Sequence, residues 1–255
     1  MKPLPLDREE YIEQAYFFRN YRERLEDAVP SQVILATIYE EILATTKLPM
    51  AIDFLKGEIL LTGRISDGME KLSHYFTPFQ TFIIKNAEDD KSKFDQKMGL
   101  KILEREAEYR ADTHNSAGLF IYQFECIARN RLGYHNGLDA ISKDSMYNED
   151  WSAWIRKLKL QLGSVDFADL LYFRSQHFVD EQRRQPGNDQ FTPRYPVLFS
   201  KQDGRIAKAN HNRDPLYMFA ALQRQLGYPN VPRPLPQTGK SLFHPALEAR
   251  LHKIE

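Results

Sequence analysis

Residues 11–25 have the sequence YIEQAYFFRNYRERL, in which apolar side chains recur every three or four positions. The recurring residues are Tyr11, Ala15, Phe18, Tyr21 and Leu25. Polar and charged side chains stand between them, so the apolar ones share one face of an α-helix. The stretch therefore predicts an amphipathic helix with an aromatic, core-facing side. Spacing of the same period continues through the first half of the chain.

Proline and glycine mark where the next helices begin and end. Pro30 suits the first turn of a second helix, because the N–H that proline lacks would be unpaired there. Leu48-Pro49 opens a third helix, and Gly63 is typical of the residue that ends one. A short fourth helix follows, with Ser66 or Asp67 as its N-cap.

Two further helices complete the first half. Thr77 is an N-cap residue followed by Pro78 at the first helical position, and residues 91–110 are charged and strongly helix-forming. The connections between the six predicted helices are short, which favours antiparallel neighbours. The sequence therefore predicts an N-terminal six-helix antiparallel bundle at residues 7–112.

Residues 113–255 are predicted to form a second, mostly helical unit. Its predicted helices cover residues 119–132, 151–162, 167–182, 215–225 and 244–255. An irregular loop spans residues 186–213, and Asp203-Gly204 within it predicts a minor β-hairpin at 196–208. The chain as a whole is therefore predicted to be all-α.

Charge is divided unequally along the chain, although the formal net charge of the whole is zero. Residues 1–150 carry 19 basic and 26 acidic side chains, whereas residues 151–255 carry 16 and 9. We therefore expect an acidic bundle at 7–112 and a basic domain at 113–255, with surfaces that suit different partners.

The composition is that of an ordinary globular protein. Of the 255 residues, 42% are hydrophobic and 12% aromatic, which is enough for a core. No apolar run approaches the roughly 18 residues of a membrane-spanning helix, and the first residues lack the pattern of a signal peptide. The single cysteine, Cys126, cannot form an intramolecular disulfide. We therefore expect no membrane span and a cytoplasmic location.

Residues 18–110 carry a series of steps that resembles a known family. The steps are Phe18 to Leu25, Val29-Pro30, Leu48-Pro49 to Leu60, Gly63 to Met69, Phe76-Thr77-Pro78-Phe79 and Ile84 to Glu88. In this order they resemble the cytoplasmic helical domain of the type II secretion F family, the platform proteins of secretion systems and type IV pili. Ala87 stands where that family has a glycine, and no membrane helix follows. The resemblance implies a protein-binding helical bundle without catalytic residues.

Motifs for nucleotides, metals and catalysis lack the context that their chemistry needs. Thr238-Gly239-Lys240-Ser241 matches the end of a phosphate-binding loop, but a proline-rich run precedes it instead of a strand. Glu70 and His74 lie one helical turn apart, without the second such pair that a di-iron bundle uses. Cys126 lies among apolar residues, which is typical of a buried thiol. No catalytic residue, metal ligand or cofactor is predicted.

Basic residues form the candidate binding site of the second half. They are Arg183, Arg184, Arg194, Lys201, Arg205, Lys208, His211 and Arg213. Tyr195 and Phe199 lie among them, and basic loops with interleaved aromatic rings bind acidic protein surfaces or single-stranded nucleic acid. A Pro-rich segment at 229–236 follows, which we interpret as an extended spacer.

Three functional hypotheses follow from these features. The favoured one is a non-enzymatic cytoplasmic scaffold or assembly protein that binds a protein partner or a second copy of itself. The alternative is a nucleic-acid-associated accessory protein that uses the basic loop at 183–213. The third is an enzyme whose active groups come from dispersed residues, a class that motifs do not exclude.

Overall fold

The computed structural model describes residues 3–89, 91–92, 94–112 and 115–233. Over these residues the chain forms thirteen α-helices, and its only β-structure is two isolated bridges, Leu162 with Val165 and Ser175 with Phe199. The all-α prediction is confirmed. The described residues divide into two compact units: the first comprises 3–112, 143–146 and 231–233, and the second 115–142 and 147–230.

Six helices form in the first unit's described residues. They are α1 (Arg8–Glu26), α2 (Ser31–Glu41), α3 (Leu48–Thr62), α4 (Ile65–Lys71), α5 (Pro78–Ala87) and α6 (Gln96–Asp112). Pro30 is the N-cap of α2, and Gly63 ends α3 with a left-handed φ of 74°. Thr77 and Gln80 form a capping box ahead of α5, with Pro78 at its first position. The antiparallel order of the six helices stays a prediction.

Two of the predicted helix starts are wrong. Neither Ser66 nor Asp67 caps α4, because the carboxylate of Glu88 accepts the N–H groups of Ile65 and Ser66 at 2.7 and 3.0 Å. The helix predicted from residue 91 begins at Gln96. The carboxylate of Asp95, which precedes it, accepts the N–H of Lys97 at 2.6 Å. In both places a side chain competes for backbone N–H groups, which helix periodicity does not register.

The packing of α1 on α6 supplies the main core of the first unit. The aromatic face predicted for α1 is buried, and Phe17 joins it with an edge-on contact to Tyr21 at a ring-centroid distance of 5.9 Å. From α6, Leu100, Ile102 and Leu103 are buried. Burial of these side chains provides the hydrophobic stabilisation of this pair.

Two buried ion pairs that share one cation lie at the end of α6. The guanidinium of Arg110 donates hydrogen bonds to the carboxylates of Glu106, at 3.0 Å, and Asp144. All three side chains are fully buried. Burial alone would lower the pKa of Arg110, but the carboxylates of Asp144 and Glu106 raise it. Asp144 lies in the segment Lys143–Met146, so this contact ties that segment to the first unit.

Seven helices form in the second unit's described residues. They are α7 (Ser116–Arg129), α8 (Tyr134–Ser142), α9 (Glu149–Gln161), α10 (Phe167–Tyr172), α11 (Gln176–Arg183), α12 (Lys201–Ala209) and α13 (Pro215–Leu226). Residues 117–128 of α7 are all buried, so α7 is the central helix of this unit. The single helix predicted over 167–182 is two, because the chain turns at Ser175, whose hydroxyl caps α11.

The predicted hairpin at 196–208 is wrong, because residues 201–209 form α12. Ser200 is the N-cap, its hydroxyl accepts the N–H of Asp203, and the Asp203 carboxylate accepts the N–H of Ser200 at 2.9 Å. Asp203, the first residue of the dipeptide that predicted a turn, is therefore the last residue of a capping box. The irregular loop predicted at 186–213 is correspondingly shorter.

Some predictions cannot be compared with the fold. The closing helix at 244–255, the segment Thr238-Gly239-Lys240-Ser241 and residues 234–236 of the Pro-rich segment lie outside the described residues. Within the part of the chain that is described, no helix has the length and apolar character needed to cross a membrane.

We expect Arg110→Ala to lower the free energy of unfolding by about 3–5 kcal/mol, because Glu106 and Asp144 stay buried after their shared cation is removed. Urea denaturation followed by circular dichroism measures the change. Arg105→Ala is the matched control on the same helix, since its guanidinium is exposed and lies 3.1 Å from Glu108. That control is expected to change stability by less than about 1 kcal/mol. Equal losses in the two variants would contradict the role given to Arg110.

Candidate interaction surface of the second unit

Three of the predicted basic residues are paired with carboxylates of neighbouring helices. The Lys201 ammonium lies 2.8 Å from Asp180, and the Lys208 ammonium lies 2.6 Å from Glu181. These hydrogen bonds lower the pKa values of both carboxyl groups, which therefore stay ionised at neutral pH. His211 places Nδ1 2.8 Å from the carboxylate of Asp169. The structure thus brings acidic groups into the loop that was predicted to be basic.

The other predicted basic residues are exposed and form no ion pair with a carboxylate of the described residues. Arg183 donates to the carbonyl oxygen of Phe191 at 3.0 Å. For Arg184, Arg205 and Arg213, no carboxylate among the described residues lies within ion-pairing distance of the guanidinium. Arg194 lies over the ring of Tyr195, with its guanidinium carbon 5.6 Å from the ring centroid. The eight candidates are therefore not one continuous basic track.

Tyr195 is the centre of a different arrangement, in which three cations surround one aromatic ring. The guanidinium carbon of Arg174 lies 4.5 Å from the ring centroid, and the Lys157 ammonium lies 5.3 Å from it. Arg194 supplies the third cation. Attraction of cations to an aromatic ring accounts for each contact. We call Lys157, Arg174, Arg194 and Tyr195 the Tyr195 cluster.

The backbone between residues 174 and 199 holds this cluster together. The carbonyl of Arg174 accepts the N–H groups of Leu198 at 2.8 Å and Phe199 at 3.1 Å, and the carbonyl of Phe199 accepts the N–H of Gln176 at 3.0 Å. The Phe199 ring is buried edge-on against Trp151 and Trp154, at centroid distances of 5.2 and 5.4 Å. Since both tryptophans belong to α9, the same contact brings Lys157 of that helix to Tyr195.

The three cations of the Tyr195 cluster form no ion pair within the described residues. No carboxylate there lies within ion-pairing distance of its three cations. Partial burial lowers the pKa of Arg174, whereas Tyr195 and Asp150 raise it. Tyr195 is 46% exposed, and two apolar residues next to members of the cluster in sequence are also exposed: Phe173, which precedes Arg174, and Val197, two residues after Tyr195. The arrangement can bind an anionic group beside an apolar one.

Metal-ligating side chains do not cluster within the part of the chain that is described. Among them, no group of three or more His, Cys, Asp or Glu side chains is placed to hold a metal ion. Cys126 is buried. A cavity of about 110 Å³ in the first unit is lined mainly by residues 73–78 and Pro3, Leu4 and Tyr11. Its volume is below the 300–1,000 Å³ that is common for small-molecule sites.

The sequence pattern indicates Arg194 and Tyr195 but not Lys157 and Arg174, the other half of the cluster. Lys157 is one of several cations on α9, and Arg174 lay inside a helix that was predicted to be continuous. No local pattern distinguishes either residue. Only the buried Phe199 ring, which closes the loop onto α9, brings them to Tyr195.

We expect Gly204→Ala in α12 to lower the free energy of unfolding by about 1–3 kcal/mol, despite the higher helix propensity of alanine. A Cβ at this position would lie 2.0 Å from the Ser175 hydroxyl oxygen and 2.5 Å from its Cβ. Urea denaturation measures the loss. Gly57→Ala is the matched control, because a Cβ there meets nothing within 4 Å, and about 1 kcal/mol should be gained. A neutral Gly204→Ala variant would show that α12 does not pack on Ser175.

Comparison of the chain with protein-family models, with curated proteins and with solved structures finds no match. The resemblance of residues 18–110 to the type II secretion F family therefore stays a prediction.

Proposed function

We propose that this chain is a non-enzymatic interaction protein whose second unit binds an acidic segment of a protein partner at the Tyr195 cluster. The observation that supports the proposal is the convergence on one exposed tyrosine ring of three cations that form no ion pair within the described residues. Tyrosine and arginine are enriched among the residues that contribute most to protein interfaces. A carboxylate of the partner supplies the ion pair that Arg174 does not form within the described residues.

The surroundings of the cluster favour a protein partner over nucleic acid. Asp180, Glu181 and Asp169 lie beside three of the candidate cations, so a phosphate backbone following residues 183–213 would meet negative charge. Exposed apolar side chains at Phe173 and Val197 suit the apolar residues of a peptide. Charge and apolar surface together therefore favour an acidic, partly apolar protein segment.

The finer features of the first unit and the location belong to the same proposal. We infer that the six helices of the acidic first unit pack antiparallel and act as a second docking body in a scaffold or assembly. The resemblance to the type II secretion F family supports protein binding by such a bundle. A cytoplasmic location is part of the proposal, and it is supported by the presence of a single cysteine, Cys126, which cannot form an intramolecular disulfide.

Selection of short random peptides displayed on phage against the immobilised full chain tests the proposal. We expect the enriched peptides to combine Asp or Glu residues with an aromatic or aliphatic residue. Fluorescence anisotropy with one enriched peptide should show that Arg174→Ala and Tyr195→Ala each weaken binding about tenfold or more, as hot-spot residues do. Lys201→Ala is the matched control: this exposed cation is already paired with Asp180, so binding should change little.

Two results would contradict the proposal. The first is enrichment of peptides without acidic residues, or binding that is unchanged in Arg174→Ala and Tyr195→Ala. The second is tight binding of a single-stranded oligothymidylate, with an affinity that falls steeply with salt and with Arg205→Ala. That outcome would establish the nucleic-acid hypothesis in place of this one.

A further inference from the structure

Helix α3 of the first unit is apolar on two opposite faces. Its inner face is buried and includes Ile52 and Leu55. On its outer face Met50, Phe54 and Leu61 are 72%, 38% and 80% exposed. A helix at the surface of a globular unit normally turns charged and polar residues outward. The outer face of α3 therefore has the composition of a contact surface.

The exposed side chains form a straight stripe with a gap in the middle. Positions 50, 54, 57 and 61 are spaced by four, three and four residues, which places them in line along a helix. The residue at 57 is glycine, and a Cβ built there meets nothing within 4 Å. Packing within the unit thus leaves room for a side chain, although glycine is unfavourable inside a helix. Close approach of another chain is a physical reason for glycine at such a position.

Opposite charges flank one side of this stripe. The Lys56 ammonium lies 3.6 Å from the Asp53 carboxylate, and it also lies 5.0 Å from the ring centroid of Tyr39 on α2. The Asp53 carboxylate is mostly exposed. Leu60, one turn after Lys56, is exposed on the same side. The stripe therefore has an acidic and a basic residue at its edge, on either side of its midpoint.

We propose that α3 is the interface for a second copy of this chain, with the two α3 helices packed antiparallel across a two-fold axis. An axis midway between Leu55 and Lys56 sets Met50 opposite Leu61 of the second copy. It sets Phe54 opposite Gly57 of the second copy, so that each phenylalanine ring fills the space that glycine leaves. Every contact occurs twice, as two-fold symmetry requires.

The charges fit the same arrangement. Equivalent edges of two antiparallel helices face each other, as in antiparallel coiled coils. Along the shared axis, the two Lys56 residues are then offset by about 1.5 Å, and Asp53 of each copy is offset by about 3 Å from Lys56 of the other. Two central lysines are therefore flanked by two aspartates. A surface whose phenylalanine fills its own glycine gap, and whose edge carries one anion and one cation in each copy, suits a second copy better than an unrelated partner. One lysine at its edge is also fewer than the basic flank of a membrane-surface helix.

Sedimentation velocity of the full chain, from low micromolar to several hundred micromolar concentration, tests this interface. We expect a reversible shift from monomer to dimer. Phe54→Gln and Gly57→Gln should each raise the dissociation constant about tenfold or more, since both act at the centre of the interface. Gly57→Gln should not lower the melting temperature of the monomer, because glutamine favours helix and has room there. Leu160→Gln is the matched control, because Leu160 of the second unit is 75% exposed, about as much as Leu61 of the stripe. This variant should leave the dissociation constant unchanged.

Charge reversal at Asp53 and Lys56 supplies a second measurement. If these residues served only the fold of one chain, mixing the two variants would not restore dimerisation. Asp53→Lys places like charges across the interface, and Lys56→Asp does the same with the opposite sign. Each variant alone should dimerise about tenfold more weakly, and an equimolar mixture of the two should form heterodimers with restored affinity.

Three outcomes would overturn this inference. One is a chain that stays monomeric at every concentration. Another is a dimer that Gly57→Gln and the charge reversals leave intact, since a different surface would then join the copies. The third is a chain that stays monomeric and binds phospholipid vesicles, with vesicle binding abolished in the Phe54→Gln variant. Because α3 lies in the first unit, none of these results affects peptide binding at the Tyr195 cluster.

Discussion

Burial of the Phe199 ring against Trp151 and Trp154 is the contact on which the surface of the second unit depends. The ring is 1% exposed, and its backbone pairs with Arg174 and Gln176 in a single bridge of parallel type. Without that anchor the chain between α11 and α12 has few buried side chains to fix its course. An irregular segment therefore takes a defined position because one aromatic side chain reaches a hydrophobic core.

Much of the helical fold could be predicted from the sequence, because apolar spacing and capping residues are local signals. The stop at Gly63 and the start at Thr77 are set within a few residues of chain, and both are correct. Errors arose where a side chain distant in sequence, or a competing local pattern, decided the outcome. Glu88 caps a helix that begins more than twenty residues earlier, and Asp203-Gly204 has the same letters in a turn and in a capping box.

The candidate site could be predicted only in part, because charge density in a sequence says nothing about what neutralises it. Lys201 and Lys208 belong to α12, whereas their carboxylates belong to α11, about twenty or more residues earlier. The cations near Tyr195 that form no ion pair within the described residues include Lys157 and Arg174, which lie outside the basic loop. The candidate site is therefore centred on the Tyr195 ring, where long-range packing brings the cations together, and not on the continuous basic stretch of sequence.

The cap that Glu88 provides for α4 has a consequence for the order of folding. With seven residues α4 is too short to form alone, since isolated helices below about 12–15 residues are marginal in water. Its first two N–H groups gain their acceptor only after α5 has ended at Ala87 and delivered the Glu88 carboxylate. α4 and α5 therefore unfold and refold together as one cooperative element. Whenever α5 unfolds locally, α4 loses its cap, so its backbone amides exchange with deuterium at the same time.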